Sequence, residues 1–180
     1  MSPVLAPITF RLATPADVAV VVDLVESAYR GERSKAGWTT EADLLKGQRT
    51  EPELIAGVIA NPNSSLLLAT DEHNDAIGCC VIERRDASRA YFGTFAVRPG
   101  LQGGGVGKQL LAEAERIAHE EWGCSAVEMT VIAQREELIA WYVKRGYLPT
   151  GETRPFPYGD ERFGLPQTDD LYFVVLAKSL

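Results

Sequence analysis

Cysteine is scarce in this 180-residue chain. Cys79, Cys80 and Cys124 are odd in number and show no metal-ligand spacing, which argues against a disulfide scaffold and against a metal site, and fits reduced thiols with a structural role. Positive charge is short as well: 18 Lys and Arg against 25 Asp and Glu leave a formal net charge of −7. Nucleic acid and anionic membrane would both be repelled by that balance, so neither is an expected partner, whereas a cationic substrate would be tolerated. No apolar run in the chain approaches the roughly 20 residues that span a bilayer. The opening MSPVLAPITF has neither the basic start nor the long apolar stretch of a signal peptide, so a cytoplasmic location is expected. Repeats and low-complexity linkers are missing too, and residues 1–180 are expected to form a single domain.

What is present reads as alternating elements. ITFRL (8–12) has strand alternation, and Thr14-Pro15-Ala16-Asp17 is a helix start with cap, early proline and acid three residues on. Val18, Val21, Val22, Val25 and Tyr29 then make a helical apolar stripe. After a polar connection over 30–40, a short helix is expected over 41–47 and another from Thr50, boxed by Glu53, to about Asn61. LLLAT (66–70), AIGCCVIE (76–83) and AYFGTFAV (90–97) are short apolar strands. A helix over 105–122, a buried strand over 126–133, a helix over 135–145 and strands from 147 and over 171–178 complete the order. This mixture implies an α+β fold with a mixed sheet and helices packed on it.

The stretch PGLQGGGVGKQLL (99–111) carries four glycines within residues 103–107, followed by Lys108. It is not a Walker loop: Gln102 stands where the first glycine would be, and Gln109 follows the lysine instead of Ser or Thr. It is not a dinucleotide fingerprint either, since the last position falls on Lys108 or Leu110. What remains is a strand, a turn, a glycine-rich segment and a helix start. Unpartnered first-turn amides and the helix dipole favour an anion there, and a bound phosphate would also reconcile Lys108 with the dipole. The other reading is that the glycines only permit a tight strand-to-helix turn.

Residues 97–107 also fit the pattern V-x-P-x-x-Q-x-x-G-x-G. This resembles the signature of the GCN5-related N-acetyltransferases, the GNAT superfamily, and WYVKRGY (141–147) resembles its second marker. The resemblance extends from about residue 8 to 180. It implies the acyl-CoA N-acyltransferase fold, a central, mostly antiparallel sheet flanked by helices. It further implies acetyl-coenzyme A as co-substrate, no metal, and a small-molecule or peptide amine as acceptor, in a monomer or homodimer. By the same resemblance Gln102, Gly103, Gly104, Gly105, Val106, Gly107 and Lys108 would cradle the pyrophosphate. Phe95, Ala96 and Val97 would pair with the pantetheine arm, with the Val97 amide as an oxyanion donor. Arg135 stands where the family often has Asn, seven residues before the helix tyrosine; it is expected either to contact the cofactor or to sit at the surface.

Acetyl transfer to an amine needs a base for the ammonium and an acid for the leaving thiolate. Tyr142 matches the family's acid position, its alternative being a core residue beside Leu138 and Ile139. The strand before the glycine loop has no carboxylate, so Glu128, a carboxylate inside an apolar strand, is the candidate base. A salt bridge is its bland alternative, and Glu83 or a water chain its competitors. The acceptor pocket is expected from Tyr29, Arg33 and Trp38 around the 30–40 connection, and from an 18-residue connection over 153–170 in which Phe156, Tyr158 and Phe163 offer aromatic wall and Asp160, Glu161, Asp169 and Asp170 offer carboxylates. Transfer of a propionyl or succinyl group, with Arg135 or Arg33 facing the succinate, and a catalytically weak acyl-CoA-binding sensor or interaction module are the alternatives in function.

Overall fold

The computed structural model describes residues 6–30, 34–35 and 40–180. β1 (Thr9–Leu12) leads into α1 (Val18–Tyr29), which is followed by β2 (Leu45–Lys46) and α2 (Pro52–Ala60). β3 (Ser64–Thr70), β4 (Ala76–Arg84) and β5 (Arg89–Val97) form a meander. Then come α3 (Val106–Arg116), β6 (Ala126–Ile132), α4 (Glu136–Val143), β7 (Leu148–Pro155), β8 (Leu165–Pro166) and β9 (Tyr172–Ser179). Seven strands make one sheet in the order β1-β3-β4-β5-β6-β9-β7, and β2 pairs with β8 separately. Every pair in the large sheet is antiparallel except β5–β6.

The central strands are apolar at nearly every position because both faces of the sheet are covered. Leu66, Leu68, Cys79 and Val81 pack with Val21, Leu24 and Val25 of α1 and Ile55 of α2. Their sequence neighbours Leu67, Ala69, Cys80 and Ile82 point the other way, onto Val106, Leu110, Leu111 and Ala114 of α3. The period of two thus divides one apolar run between two cores. All three cysteines are free and buried, and burial pushes the Cys79 thiol up to about 12.

The start of α1 follows the expected capping: Thr14 N–H and hydroxyl both reach the Asp17 carboxylate (2.8 and 3.2 Å), which also binds Arg11. Arg11 first, and the Thr14 amide with it, hold that carboxyl well below its usual range. Four expectations are corrected. No helix forms over 41–47; Leu45 is drawn into a small core with Ile132, Phe156 and Leu171 and lies in β2, so tertiary burial overrides the local pattern. α2 is capped at Glu51 with Pro52 in its first turn, without a Thr50–Glu53 box. The Thr50 amide instead donates to Glu26 (2.8 Å). α3 gives way to a π-turn over Ile117–Glu121. The segment 153–170 is not all loop, since β7 reaches Pro155 and β8 lies within it. β7 is an exposed edge strand along its whole length, so it has no buried face to write an alternation into the sequence.

Candidate functional site

The sheet opens between its two parallel strands. β5 and β6 pair only over Arg89–Tyr91 and Ala126–Glu128; beyond that they diverge. Arg98 N–H donates to Ile77 O (2.9 Å), and Val97 stands opposite Gly78. Bonded and non-bonded pairs alternate along an antiparallel ladder, so the Val97 N–H and C=O turn away from β4. The Val97 carbonyl accepts from Gln102 Nε2 (3.2 Å).

The glycine segment has two jobs, one at each end. Gly103 and Gly105 hold φ +86° and +87°, the left-handed region that glycine adopts freely, and Gly105 is the N-cap of α3. The first intrahelical bond runs from Gln109 N–H to Gly105 O (3.0 Å), so the amides of Val106, Gly107 and Lys108 have no partner in the helix. Gly107 is a packing glycine: a Cβ there would lie 2.9 Å from the Phe95 ring. A cavity of about 210 Å³ runs from this helix end along Phe95, Ala96 and Val97 to α4. Gln102, Gly103, Gly105, Gly107 and Lys108 line one end of it, and Arg135, Leu138, Trp141 and Arg145 line the α4 side. Gly104 and Val106 belong to the turn but not to the lining.

A second cavity, of about 340 Å³, lies on the other side of the opening. Its walls are Tyr91–Phe95 of β5, Met129–Ile132 of β6, and Leu45, Tyr142, Phe156 and Phe173. The two cavities share Tyr29, Phe95, Arg135 and Leu138. Tyr29 marks the junction, its hydroxyl donating to the Phe95 carbonyl.

Tyr142 is buried among the rings of Phe92, Phe95, Trp141 and Tyr147, at centroid distances of 5.2–6.5 Å. It is a core residue and a wall of the second cavity at once. Burial raises its phenol well above the ordinary value.

Arg135 is not at the surface. It is 5% exposed, caps α4 and reaches Glu41 (3.4 Å). Glu41, itself buried, also binds Arg30 and has Arg49 at 3.7 Å. Burial is the main influence on the Arg30 guanidinium and lowers its pKa.

The structure does not bring Glu128 to either cavity. It sits at the last paired position of β5 and β6, opposite Tyr91, and binds Arg89 (3.2 Å), on the same face of β6 as Thr130. Glu83 is likewise remote, at the Arg85 end of β4 (3.0 Å). Phe156 is buried and lines the second cavity, against the ring of Phe173 (5.8 Å). Tyr158 staples its own loop instead: its hydroxyl donates to Thr168 O and accepts from Leu171 N–H, both at 2.9 Å. Arg33, Trp38 and the side chain of Phe163 lie outside the described residues.

Sequence reasoning missed Glu41, Arg49, Trp141 and Arg145 as cavity residues. The last two had a signal: Leu138, Trp141, Tyr142 and Arg145 recur at helical spacing on one face of α4. Arg145 lies 3.6 Å over the Trp141 ring and donates to the Trp141 carbonyl (2.8 Å). Glu41 and Arg49, isolated charges in polar stretches, had none.

Comparison with known proteins agrees with this geometry. The model of the Acetyltransferase (GNAT) family matches residues 23–147. Ard1 from Thermoplasma volcanium, 18% identical, superposes with a TM-score of 0.72 over 96% of this chain and 97% of that one. A GNAT family acetyltransferase from Elizabethkingia anophelis, solved with acetyl-CoA bound, is 21% identical, with a TM-score of 0.64 over 96% and 98%. The ribosomal-protein-S18-alanine N-acetyltransferase from Escherichia coli is 14% identical, with a TM-score of 0.69 over 96% and 94%. At these identities the likeness is one of fold. No curated protein sequence matches the chain.

Proposed function

Because this chain belongs to the acetyltransferase (GNAT) family, we propose that it transfers an acetyl group from acetyl-coenzyme A to a primary amine by direct attack within a ternary complex. One observation carries the reading: two cavities meet at the open half of the β5–β6 ladder and share Tyr29, Phe95, Arg135 and Leu138. A donor in one cavity and an acceptor in the other would touch there and nowhere else.

The residues of the first cavity suit the donor. Positive-φ glycines, three amides without helical partners and Lys108 make an anion cradle for the pyrophosphate. The edge of β5 at Val97 turns its backbone away from β4 towards the pantetheine arm, and Gln102 fixes that edge through the Val97 carbonyl. Arg145, stacked on Trp141, adds a second cation on the α4 side. Bound acetyl-CoA supplies an activated thioester, whose C–S bond breaks as the C–N bond to the amine forms.

The Val97 N–H, turned into the opening, donates to the acetyl oxygen as it gains charge. Tyr142 holds a proton at Oη for the departing sulfur, and its burial keeps that proton in place at neutral pH. With Glu128 outside both cavities, the amine's proton leaves through water.

The experiment is coenzyme A thiol release on mixing the protein with acetyl-CoA and a panel of amines. Release matched by N-acetylated product is expected. Acetyl-CoA binding without release across the panel would replace the enzyme with an acyl-CoA-binding module.

A further inference from the structure

The acceptor cavity has a charge pattern opposite to that of the chain as a whole. Although the protein carries a formal −7, Glu41 is the only carboxylate lining this cavity among the described residues, against Arg30, Arg49 and Arg135. Both Glu41 oxygens are engaged, Oε1 by Arg30 and Oε2 by Arg135 (3.4 Å). Arg49 is placed differently. Its Nε stands 3.7 Å from Glu41 Oε1, beyond hydrogen-bond distance, and among the described residues its guanidinium makes no hydrogen bond. It is partly exposed, at 29%, and its backbone is anchored by the Arg49 N–H donating to Glu26 Oε1 (2.6 Å). The guanidinium lies over the Tyr29 ring, 4.9 Å from the centroid.

Tyr29 is shared by both cavities, while Arg49 lines only the acceptor one. An oxyanion on Arg49 would therefore lie beside the ring that both cavities share, where the proposed function has the amine meet the thioester. That placement suits an amine and an anionic group on the same or the neighbouring carbon. The remaining walls, Leu45, Met129, Val131, Ile132, Phe156 and Phe173, offer apolar surface. Five hydroxyl-bearing residues also line it, Tyr29, Tyr91, Thr94, Thr130 and Tyr142; Tyr91 Oη and Thr130 Oγ1 bond each other at 2.6 Å, and Tyr29 donates to the Phe95 carbonyl. Among the described residues, a second ammonium would find no uncommitted carboxylate on this lining.

We infer that the acceptor is an apolar α-amino acid, its carboxylate bound by Arg49 and its amine presented at the junction beside Tyr29. This rests on the acetyl-transfer reading for the identity of the donor, but not for the binding of the carboxylate. Fork-shaped guanidinium donors match a carboxylate in two parallel hydrogen bonds.

The test pairs binding with turnover. L-leucine, L-methionine and L-phenylalanine, each beside its carboxamide, are titrated calorimetrically into the protein saturated with coenzyme A, and each is assayed with acetyl-CoA; spermidine is assayed alongside. At least one acid is expected to bind tenfold or more tighter than its amide and to exceed both the amide and spermidine in kcat/KM. R49M should bring the acid-to-amide ratio close to one while leaving the Kd for coenzyme A unchanged, which also reports that the variant is folded. R49K should retain part of the preference. Carboxamides or spermidine handled as well as the acids, a preference that survives R49M, or no binding by any acid would each overturn the inference. Turnover without acid preference sinks this inference and leaves acetyl transfer standing. Acid-selective binding without turnover does the reverse.

Discussion

The two cavities are built from different materials. Eight residues of the donor cavity come from between Phe95 and Lys108, where the distinctive features belong to the main chain: the edge of β5, the left-handed glycines and the first amides of α3; Ala28, Tyr29 and the α4 side close it. The acceptor cavity is gathered from the end of α1, the segment around β2, β5, β6, α4, the segment just after β7, and β9, and is organised around the side chains of a buried carboxylate among three guanidiniums. Backbone recognises what all members of a class share, here phosphate and amide. Side chains recognise what differs. On the proposed function the donor half answers to the co-substrate and the acceptor half to the amine, and the two should be separable by mutation.

The sharpest way to break that contrast is Glu41→Gln. It takes the buried carboxylate out of its ion pairs with Arg30 and Arg135; breaking a buried pair costs about 3–5 kcal/mol, roughly a 10 °C fall in Tm for a chain of this size. Acceptor KM should rise while acetyl-CoA affinity, measured on the folded variant, stays close to wild type. Equal losses on both sides would mean the cavities are not separable. Tyr142→Phe comes next, with kcat expected to fall tenfold to a hundredfold and KM for acetyl-CoA little altered. Because burial raises this phenol, wild-type kcat should show no alkaline decline from it up to about pH 10. Unchanged kcat would return Tyr142 to a packing role.

Gly105→Val acts on the other half. A β-branched residue at φ +87° is strained and crowds the amides, so acetyl-CoA should bind at least tenfold more weakly while acceptor binding persists. Normal acetyl-CoA binding by the folded variant would remove the phosphate assignment from this turn. The smallest effect belongs to Glu128→Gln. Its partner Arg89 is half exposed, so the loss should stay within about 1 kcal/mol, with rate and pH profile unchanged. A lowered plateau with activity recovering towards high pH would restore Glu128 as the base.

The same contrast explains what could be read in the sequence. The glycine turn was legible because its residues are adjacent and each answers a backbone requirement. The central strands were legible because burial on both faces leaves continuous apolar runs. α4 was legible through its spacing, and Tyr142 and Arg135 were singled out through the family resemblance of its motif. Glu41, Arg30 and Arg49 were not: an isolated charge looks the same in solvent as beneath a helix, and only the fold brings residues 41 and 135 within hydrogen-bond distance (3.4 Å). Glu128 misled for a related reason. A carboxylate in an apolar strand suggests a buried acid, but the strand is still paired there, and the neighbouring Arg89 takes it.

The two-residue ladder between β2 and β8 has a consequence for how acceptor preference changes over evolutionary time. Leu45 faces Pro166 and Lys46 faces Leu165, Gln167 N–H adds a bond to Leu44 O (2.9 Å), and Leu45 and Phe156 meet in one small core. Segments more than a hundred residues apart in the chain are thereby one wall. A substitution on either side shifts the other, so effects at Leu45 and Phe156 will not add. Selectivity would then be remodelled most readily by paired replacements across the ladder.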